Sequence, residues 1–193
     1  NGDPGSGSSD SGSNSDSSSG DNGSGSSNDG TMPVLEGTNR NNTLNDGDQS
    51  TEILGLGGRD TINAGGGDDI IDGGSGKDHM TGGAGADTFR FGLDALDGYR
   101  DTVHDFSLSD GDMLDVSLIA AAYGLNTNEM EDAMSFRNIK PGLRVSVTVD
   151  GETHNIALLE GVEQRDFLNE NPVIYGSSDS GSNSDSSNGG SSG

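Results

Sequence analysis

The chain contains no cysteine and no tryptophan, and aromatic residues make up only 4% of its 193 residues. Without cysteine, neither a disulfide framework nor a thiolate zinc site can form, so stability outside a cell would need another cross-link. The sequence also has no apolar run long enough to span a bilayer. A hydrophobic content of 27% with 34 glycines leaves material for only a small core.

Basic residues are scarce as well. Lysine and arginine together number 9 against 33 aspartates and glutamates, which gives a net charge of −24. This charge repels nucleic acids and anionic lipids and opposes compaction of the chain. We therefore expect no nucleic-acid partner and a structure that depends on bound cations.

Both ends of the chain consist mainly of glycine, serine, aspartate and asparagine, a composition typical of disordered linkers. The segment "SSDSGSNSDSS" occurs at residues 8–18 and again at residues 177–187. We predict disordered linkers at residues 1–32 and 176–193 that bracket one module of a multi-domain protein. A low-complexity terminal tail is the alternative interpretation.

Between the linkers, six consecutive nine-residue units cover residues 37–90, and glycines concentrate at places one to four of each unit. The eighth place is always apolar, and the sixth place is mostly aspartate. The residues at place eight are Leu44, Ile53, Ile62, Ile71, Met80 and Phe89, and those at place six are Asn42, Thr51, Asp60, Asp69, Asp78 and Asp87.

This pattern predicts glycine turns that alternate with very short strands at places seven to nine. Two units make one coil of 18 residues, so units n and n+2 stack and the apolar residues form two files. The files are Leu44, Ile62 and Met80 on one side and Ile53, Ile71 and Phe89 on the other. Burial of each such side chain contributes only about 1.5 to 3 kcal/mol, so six of them cannot order 54 residues.

The stacking places Asp60 near Asp78 and Asp69 near Asp87. Two carboxylates held close together repel each other unless a cation lies between them. Calcium accepts six to eight oxygen ligands in loose geometry, whereas magnesium requires a tight octahedron and zinc prefers nitrogen or sulfur. Calcium is therefore the predicted cofactor, with several ions bound.

The stretch "GGRDTINAGGGDDIIDGGSGKDHMTGGAGADTF" closely resembles the repeats of the RTX (repeats-in-toxin) family. The resemblance implies an all-β fold, a right-handed parallel β-roll over residues 33–90. It implies calcium between coils, bound by place-six carboxylates and by the carbonyls of places two and four. Carried onto this sequence, the ligands are Asp60, Asp69, Asp78 and Asp87 with the carbonyls of Leu56, Gly58, Gly65, Gly67, Gly74, Gly76, Gly83 and Gly85.

The first two units depart from the family pattern. Asn42 can still offer an amide oxygen, so we expect its site with Asp60 to be weaker. Thr51 is a poor ligand, which leaves its site with Asp69 as the one predicted to be empty.

Residues 91–175 have lost the repeat and resemble the segment that follows the roll in RTX proteins exported by type I secretion. We predict a β-rich cap continuous with the roll, because an open roll end exposes apolar surface and strand edges. A hairpin is predicted at residues 143–159 around the turn Asp150-Gly151, with helices at residues 118–123 and 128–134. Asp101, Asp105 and Asp112 are further candidate calcium ligands, and capping or solvated carboxylates are the equal alternative.

No catalytic motif is recognisable, since the histidines are scattered and no nucleophile elbow or phosphate-binding loop is complete. We therefore expect a non-enzymatic module of a secreted bacterial protein that folds on meeting extracellular Ca²⁺. An adhesion or carbohydrate-binding module is the alternative, with an extracellular polysaccharide or another domain of the same chain as partner. A third candidate is a secretion-directing carboxyl end, which the linker at the terminus disfavours.

Overall fold

A computed structural model describes residues 32–176 of the chain. The linkers predicted at residues 1–32 and 176–193 lie outside the described residues, apart from Met32 and Gly176 at their edges. The described residues form two sheets that run through the nonapeptide region and into the segment after it.

In the nonapeptide region, every unit supplies a strand at its places seven to nine, as the repeat predicts. Glycine turns separate the strands because glycine takes backbone conformations that other residues disfavour. The strands of residues 32–90 are β1 (Val34–Thr38), β2 (Thr43–Asn45), β3 (Glu52–Gly58), β4 (Thr61–Gly66), β5 (Ile70–Asp72), β6 (Ser75–Gly76), β7 (His79–Ala84) and β8 (Thr88–Arg90).

Alternate strands stack in parallel at intervals of one coil. Strands β2, β4 and β7 pair in one sheet, and β3, β5 and β8 pair in the other. The register aligns Leu44 with Ile62 and Met80, and Ile53 with Ile71 and Phe89, so both predicted apolar files are confirmed. All of these side chains except the partly buried Leu44 are at most 1% exposed.

The two sheets continue past the last nonapeptide. Strand β9 (Asp101–Val103) pairs in parallel with β7, and β10 (Met113–Asp115) pairs in parallel with β8. The remaining strands are β11 (Met134–Ile139), β12 (Gly142–Val149), β13 (Glu152–Glu160) and β14 (Val173–Ile174). One sheet has the order β1-β3-β5-β8-β10-β14 with β6 beside β3, and the other has the order β11-β12-β13-β9-β7-β4-β2.

The predicted hairpin is formed by β12 and β13, which pair antiparallel on either side of Asp150 and Gly151. Both turn residues have positive φ, at 52° and 79°, as a tight hairpin turn requires. The residues expected on one face are all buried, namely Leu143, Val145, Val147 and Val149. Strand β11, which the sequence did not predict, pairs antiparallel with β12 and completes a three-stranded meander.

Short helices connect the later strands. Helix α1 (Ser117–Tyr123) and helix α2 (Thr127–Ala133) match the predicted segments to within one residue, whereas α3 (Gln164–Glu170) and a 3-10 helix (Leu93–Leu96) were not predicted. Asn126 caps α2, because its side chain accepts the Glu129 N–H at 3.1 Å and the Glu129 carboxylate accepts the Asn126 N–H at 2.9 Å. Within residues 32–176, no helix has the length and apolar character that a membrane crossing requires.

The hydrophobic core extends from the apolar files into the segment after the roll. The ring of Phe106 lies between Phe89 and Phe167, with ring centroids 5.8 and 5.9 Å apart. Phe89 belongs to the last nonapeptide and Phe167 to α3, so this aromatic contact closes the end of the roll. The roll and its cap therefore share one core.

Replacing Ile71 with alanine should lower the free energy of unfolding of the calcium-saturated protein by about 2–5 kcal/mol, because a fully buried side chain leaves a cavity. Chemical denaturation followed by circular dichroism measures this change. Ile70→Ala, in the same strand but partly exposed, is the matched control and should cost clearly less. Equal losses would contradict the inward direction assigned to the file.

Candidate calcium sites

The place-six aspartates form two columns along the turn edges of the roll, one with Asp60 and Asp78 and the other with Asp69 and Asp87. Each carboxylate connects two coils. In every case Oδ1 accepts a hydrogen bond from the backbone N–H of the residue at place six of the preceding coil. These bonds run from Asn42 to Asp60 (2.7 Å), from Thr51 to Asp69 (2.8 Å), from Asp60 to Asp78 (2.7 Å) and from Asp69 to Asp87 (3.0 Å). Carboxylates from neighbouring coils are thereby brought together.

The second oxygen of each carboxylate, Oδ2, is buried and has no hydrogen-bond partner. This holds for Asp60, Asp69, Asp78 and Asp87. The four residues are at most 1% exposed. Burying an unpaired carboxylate oxygen costs free energy, since the protein does not replace the water that it loses. A bound cation on Oδ2 would remove that cost.

The glycine turns bring backbone carbonyls close to the next coil. All eight residues whose carbonyls are predicted ligands have positive φ: Leu56, Gly58, Gly65, Gly67, Gly74, Gly76, Gly83 and Gly85. A Cβ at Gly76 would collide with the carbonyl oxygen of Gly58, so only glycine fits there. Leu56 is the exception with φ of 73°, a conformation that costs a non-glycine residue roughly 1–2 kcal/mol.

The donor set predicted for each turn consists of carboxylate and carbonyl oxygens. In the described part of the chain, no three acidic or histidine side chains gather closely enough to hold a metal by themselves. A cation at these turns would need carbonyl oxygens in addition to one or two carboxylates. Calcium accepts this mixture, whereas zinc prefers nitrogen and sulfur, so the residues present fit calcium.

A family model for the RTX calcium-binding nonapeptide repeat matches residues 54–89 in four copies. Residues 54–89 are RTX repeats. The match covers the turns that contain the four orphaned carboxylate oxygens. The family assignment made from the sequence is therefore confirmed for residues 54–89.

Two solved structures are similar to this chain. One is the AlgE6R3 subunit of the Azotobacter vinelandii mannuronan C5-epimerase, with 28% identity, a TM-score of 0.56 and coverage of 85% of this chain and 93% of that chain. The other is the AlgE6R2 subunit of the same epimerase, with 25% identity, a TM-score of 0.53 and coverage of 75% and 92%. No curated protein sequence matches the chain significantly. The neighbours confirm the parallel β-roll fold.

The first two nonapeptide units have Asn42 and Thr51 at place six, where the later units have an aspartate. The side-chain oxygen of Asn42 already accepts hydrogen bonds from the backbone N–H and the hydroxyl of Thr38, at 2.7 and 3.1 Å. The hydroxyl of Thr51 donates to the carbonyl of Gln49 at 3.2 Å. Neither side chain has an orphaned oxygen comparable to those of the later units, so the expectation of weaker ligands at these two places stays a prediction.

Both aspartate columns continue beyond the recognisable repeat. The sequence indicated Asp101 and Asp112 only as candidate ligands, without placing them in the columns. Asp101 Oδ1 accepts the backbone N–H of Asp78 at 2.8 Å, and Asp112 Oδ1 accepts that of Asp87 at 3.0 Å. The spacings are 23 and 25 residues instead of 18. The similarity of "RDTV" from Arg100 to "RDTI" from Arg59 is the signal that could have identified this coil.

The candidate ligands after residue 90 are Asp101, Asp105 and Asp112, and they differ in the hydrogen bonds that their second carboxylate oxygens accept. Asp105 uses both oxygens, since Gly82 and Gly83 donate their N–H groups to it at 3.0 and 2.8 Å. Asp112 Oδ2 also accepts a backbone N–H, that of Ser107 at 2.8 Å. These two contacts match the capping alternative, whereas Asp101 has no such second N–H contact and remains a candidate ligand.

Burial raises the pKa of the carboxyls in the columns because it disfavours their charged form. The pKa of Asp87 rises to about 6, that of Asp78 to about 7 and that of Asp101 to about 8. The hydrogen bond from the preceding coil limits the rise in each case, and neighbouring carboxylates add to it. Without a cation, the folded roll therefore binds protons more readily than the unfolded chain, and Asp101 is the carboxyl of these three that is mostly protonated at pH 7.

These shifts predict opposite pH dependences with and without calcium. A folded-state pKa above the unfolded value stabilises the fold at low pH, and that stability is lost as the pH rises through about 6 to 8. In calcium-free buffer the folded fraction should therefore increase from pH 8 to pH 5. With calcium the affinity should fall over the same range, since the ligands must be deprotonated.

Circular dichroism at both pH values, with and without calcium, checks this prediction. Asp101→Asn should flatten the calcium-free pH dependence, because the asparagine does not titrate. The matched control is Asp166→Asn, whose side chain is 49% exposed and should leave the dependence unchanged. Equal pH profiles for Asp101→Asn and the wild type would be inconsistent with this account.

Proposed function

We propose that the protein is a non-catalytic calcium-binding RTX module that folds when it meets extracellular calcium. The observation that carries this proposal is the set of four buried carboxylate oxygens without partners, one in each of the four RTX units that follow the pattern. A cation is the partner that satisfies all four, and the surrounding carbonyls suit calcium.

Folding and calcium binding are coupled in this proposal. The chain has a net charge of −24, and the columns bring its carboxylates together, so the calcium-free roll is destabilised by repulsion as well as by burial. Extracellular calcium modules bind with dissociation constants of about 0.1–1 mM, well above cytosolic free calcium. The module would therefore remain unfolded inside a cell and fold outside it.

A secreted bacterial location and a multi-domain parent protein are part of the same proposal. RTX repeats are typical of extracellular bacterial proteins. The two similar structures are subunits of a larger epimerase, which supports a role as one module among several. Export by type I secretion fits this role, because a chain that is unfolded without calcium can be exported before it folds.

Removal of calcium should abolish the β-type circular dichroism of the described region, and millimolar calcium should restore it. Asp69→Asn and Asp87→Asn should each raise the calcium midpoint for folding by at least about tenfold, because even indirect partners of metal ligands contribute that much to affinity. Asp68→Asn, whose side chain is exposed beside Asp69, is the matched control for charge.

A β spectrum that persists unchanged in metal-free buffer would rule out calcium-coupled folding. Equal midpoints for Asp69→Asn and the control would show that the buried oxygens are not ligands. The signal should be followed at constant ionic strength, so that simple screening of the net charge is separated from specific binding.

A second candidate is a module that binds an anionic polysaccharide, favoured by a row of three basic residues that precede the aspartates of one column. Arg59, Lys77 and Arg100 each precede an aspartate of the same column, and the hydrogen bonds between those aspartates stack the three residues coil upon coil. They account for 3 of only 9 basic residues in an acidic chain. The similar structures belong to a mannuronan C5-epimerase, which makes mannuronan the natural probe.

Arg59→Ala combined with Lys77→Ala should weaken binding of mannuronan oligomers by about two- to thirtyfold, since each exposed ion pair contributes about 0.2–1 kcal/mol. Isothermal titration calorimetry at saturating calcium measures this affinity. Arg165→Ala is the control, because its side chain is 84% exposed and Arg165 lies outside the row. Binding of a neutral oligosaccharide with equal affinity, or no binding at all, would exclude this candidate.

A further inference from the structure

In the second nonapeptide unit, residues 46–54, the aspartate stands at place one instead of place six. It has Asp46 at place one and Thr51 at place six, whereas the other units have glycine or alanine at place one and an aspartate or asparagine at place six. Thr51 is the reason why the site with Asp69 was predicted to be empty. The aspartate at place one has no counterpart in the repeat pattern.

The other units show where a side chain at place one points. A Cβ at Gly55 would lie 2.8 Å from Asp60 Oδ2, and a Cβ at Gly73 would lie 2.8 Å from Asp78 Oδ2. In the first unit, a Cβ at Gly37 would lie 2.8 Å from the side-chain oxygen of Asn42. A side chain at place one therefore enters the space used by the place-six oxygen of the same unit.

In the second unit, Thr51 does not compete for that space with a carboxylate. The Thr51 hydroxyl is engaged with the Gln49 carbonyl at 3.2 Å, and its backbone N–H donates to Asp69 Oδ1 at 2.8 Å. The exchange between places one and six therefore moves the carboxylate of this unit from place six to Asp46.

The atoms around Asp46 resemble the predicted calcium turns. Asp46 Oδ2 is buried without a hydrogen-bond partner, and so is Asp69 Oδ2 on the next coil. Asp69 is only 1% exposed. The coils are in direct contact, since Asp46 donates its N–H to the carbonyl of Asn63 at 2.9 Å and Gly66 donates to Gly47 at 2.8 Å.

The unit of Asp46 is stacked directly on the unit of Asp69, because the N–H of Thr51 donates to Asp69 Oδ1 at 2.8 Å. Two orphaned carboxylate oxygens on adjacent coils are a costly arrangement without a cation and a favourable one with it.

We propose that Asp46 replaces the carboxylate missing at Thr51 and that a calcium ion binds between Asp46 and Asp69. Further oxygen donors would be the carbonyls of Gly65 and Gly67, which have positive φ and belong to the same turn as Asp69. The inference rests on the proposed calcium function, and it changes the expectation for this site from empty to occupied. The second unit thus takes part in the roll as a calcium-binding unit.

Native mass spectrometry of the full chain in calcium should detect one bound ion fewer in Asp46→Asn than in the wild type. Asp48→Asn is the matched control, because Asp48 is an exposed aspartate of the same turn and the change removes the same charge. The double variant Asp46→Gly with Thr51→Asp restores the usual pattern and should bind as many ions as the wild type.

The calcium midpoint for folding, followed by circular dichroism, provides a second readout. Asp46→Asn should raise the midpoint by at least about tenfold, and the double variant should return it towards the wild-type value. An unchanged ion count and midpoint in Asp46→Asn would overturn the inference while the proposed function stands. A wild-type chain that binds no calcium would overturn both.

Discussion

The structure depends on aspartates that connect successive coils with one oxygen and leave the other without a partner. Oδ1 of each aspartate accepts a backbone N–H from the coil before it, which sets the distance and register between coils. Oδ2 is buried beside turns of positive φ, whose carbonyls lie close to the next coil. In the proposed function, the same side chain connects two coils through Oδ1 and binds calcium through Oδ2, so folding and calcium binding are coupled.

The aspartate columns end differently at the two ends of the roll. At the carboxyl end, the column continues through Asp101 and Asp112, and the aromatic contact between Phe89, Phe106 and Phe167 adds apolar burial that the nonapeptides lack. At the amino end, the side chains of Asn42 and Thr51 form hydrogen bonds within their own units, with the hydroxyl of Thr38 and with the carbonyl of Gln49. The segment after the repeats therefore adds apolar contacts to the carboxyl end of the roll.

Much of the fold could be predicted because the repeat is so regular. A period of nine with an apolar residue at place eight leaves one way to stack the strands, and the register of Ile53, Ile71 and Phe89 follows from it. The hairpin at Asp150-Gly151 and the capped helix after Asn126 carry local signals of similar strength. Strand β11 and helix α3 carry weaker signals, because their placement depends on packing against β12 and Phe136 and not on local pattern.

By itself, the sequence determined the coil length, the two apolar files, the positions of the turn aspartates and the chemistry of the ion that they favour, because each follows from a nine-residue period and from oxygen donors. The tertiary structure decided which carboxylate oxygens are left without a partner, and that Asp105 is hydrogen-bonded through both of its oxygens. It also stacked the unit of Asp46 on that of Asp69, and Asp101 on Asp78. These contacts join residues at irregular separations, and only the stacked coils bring such residues together.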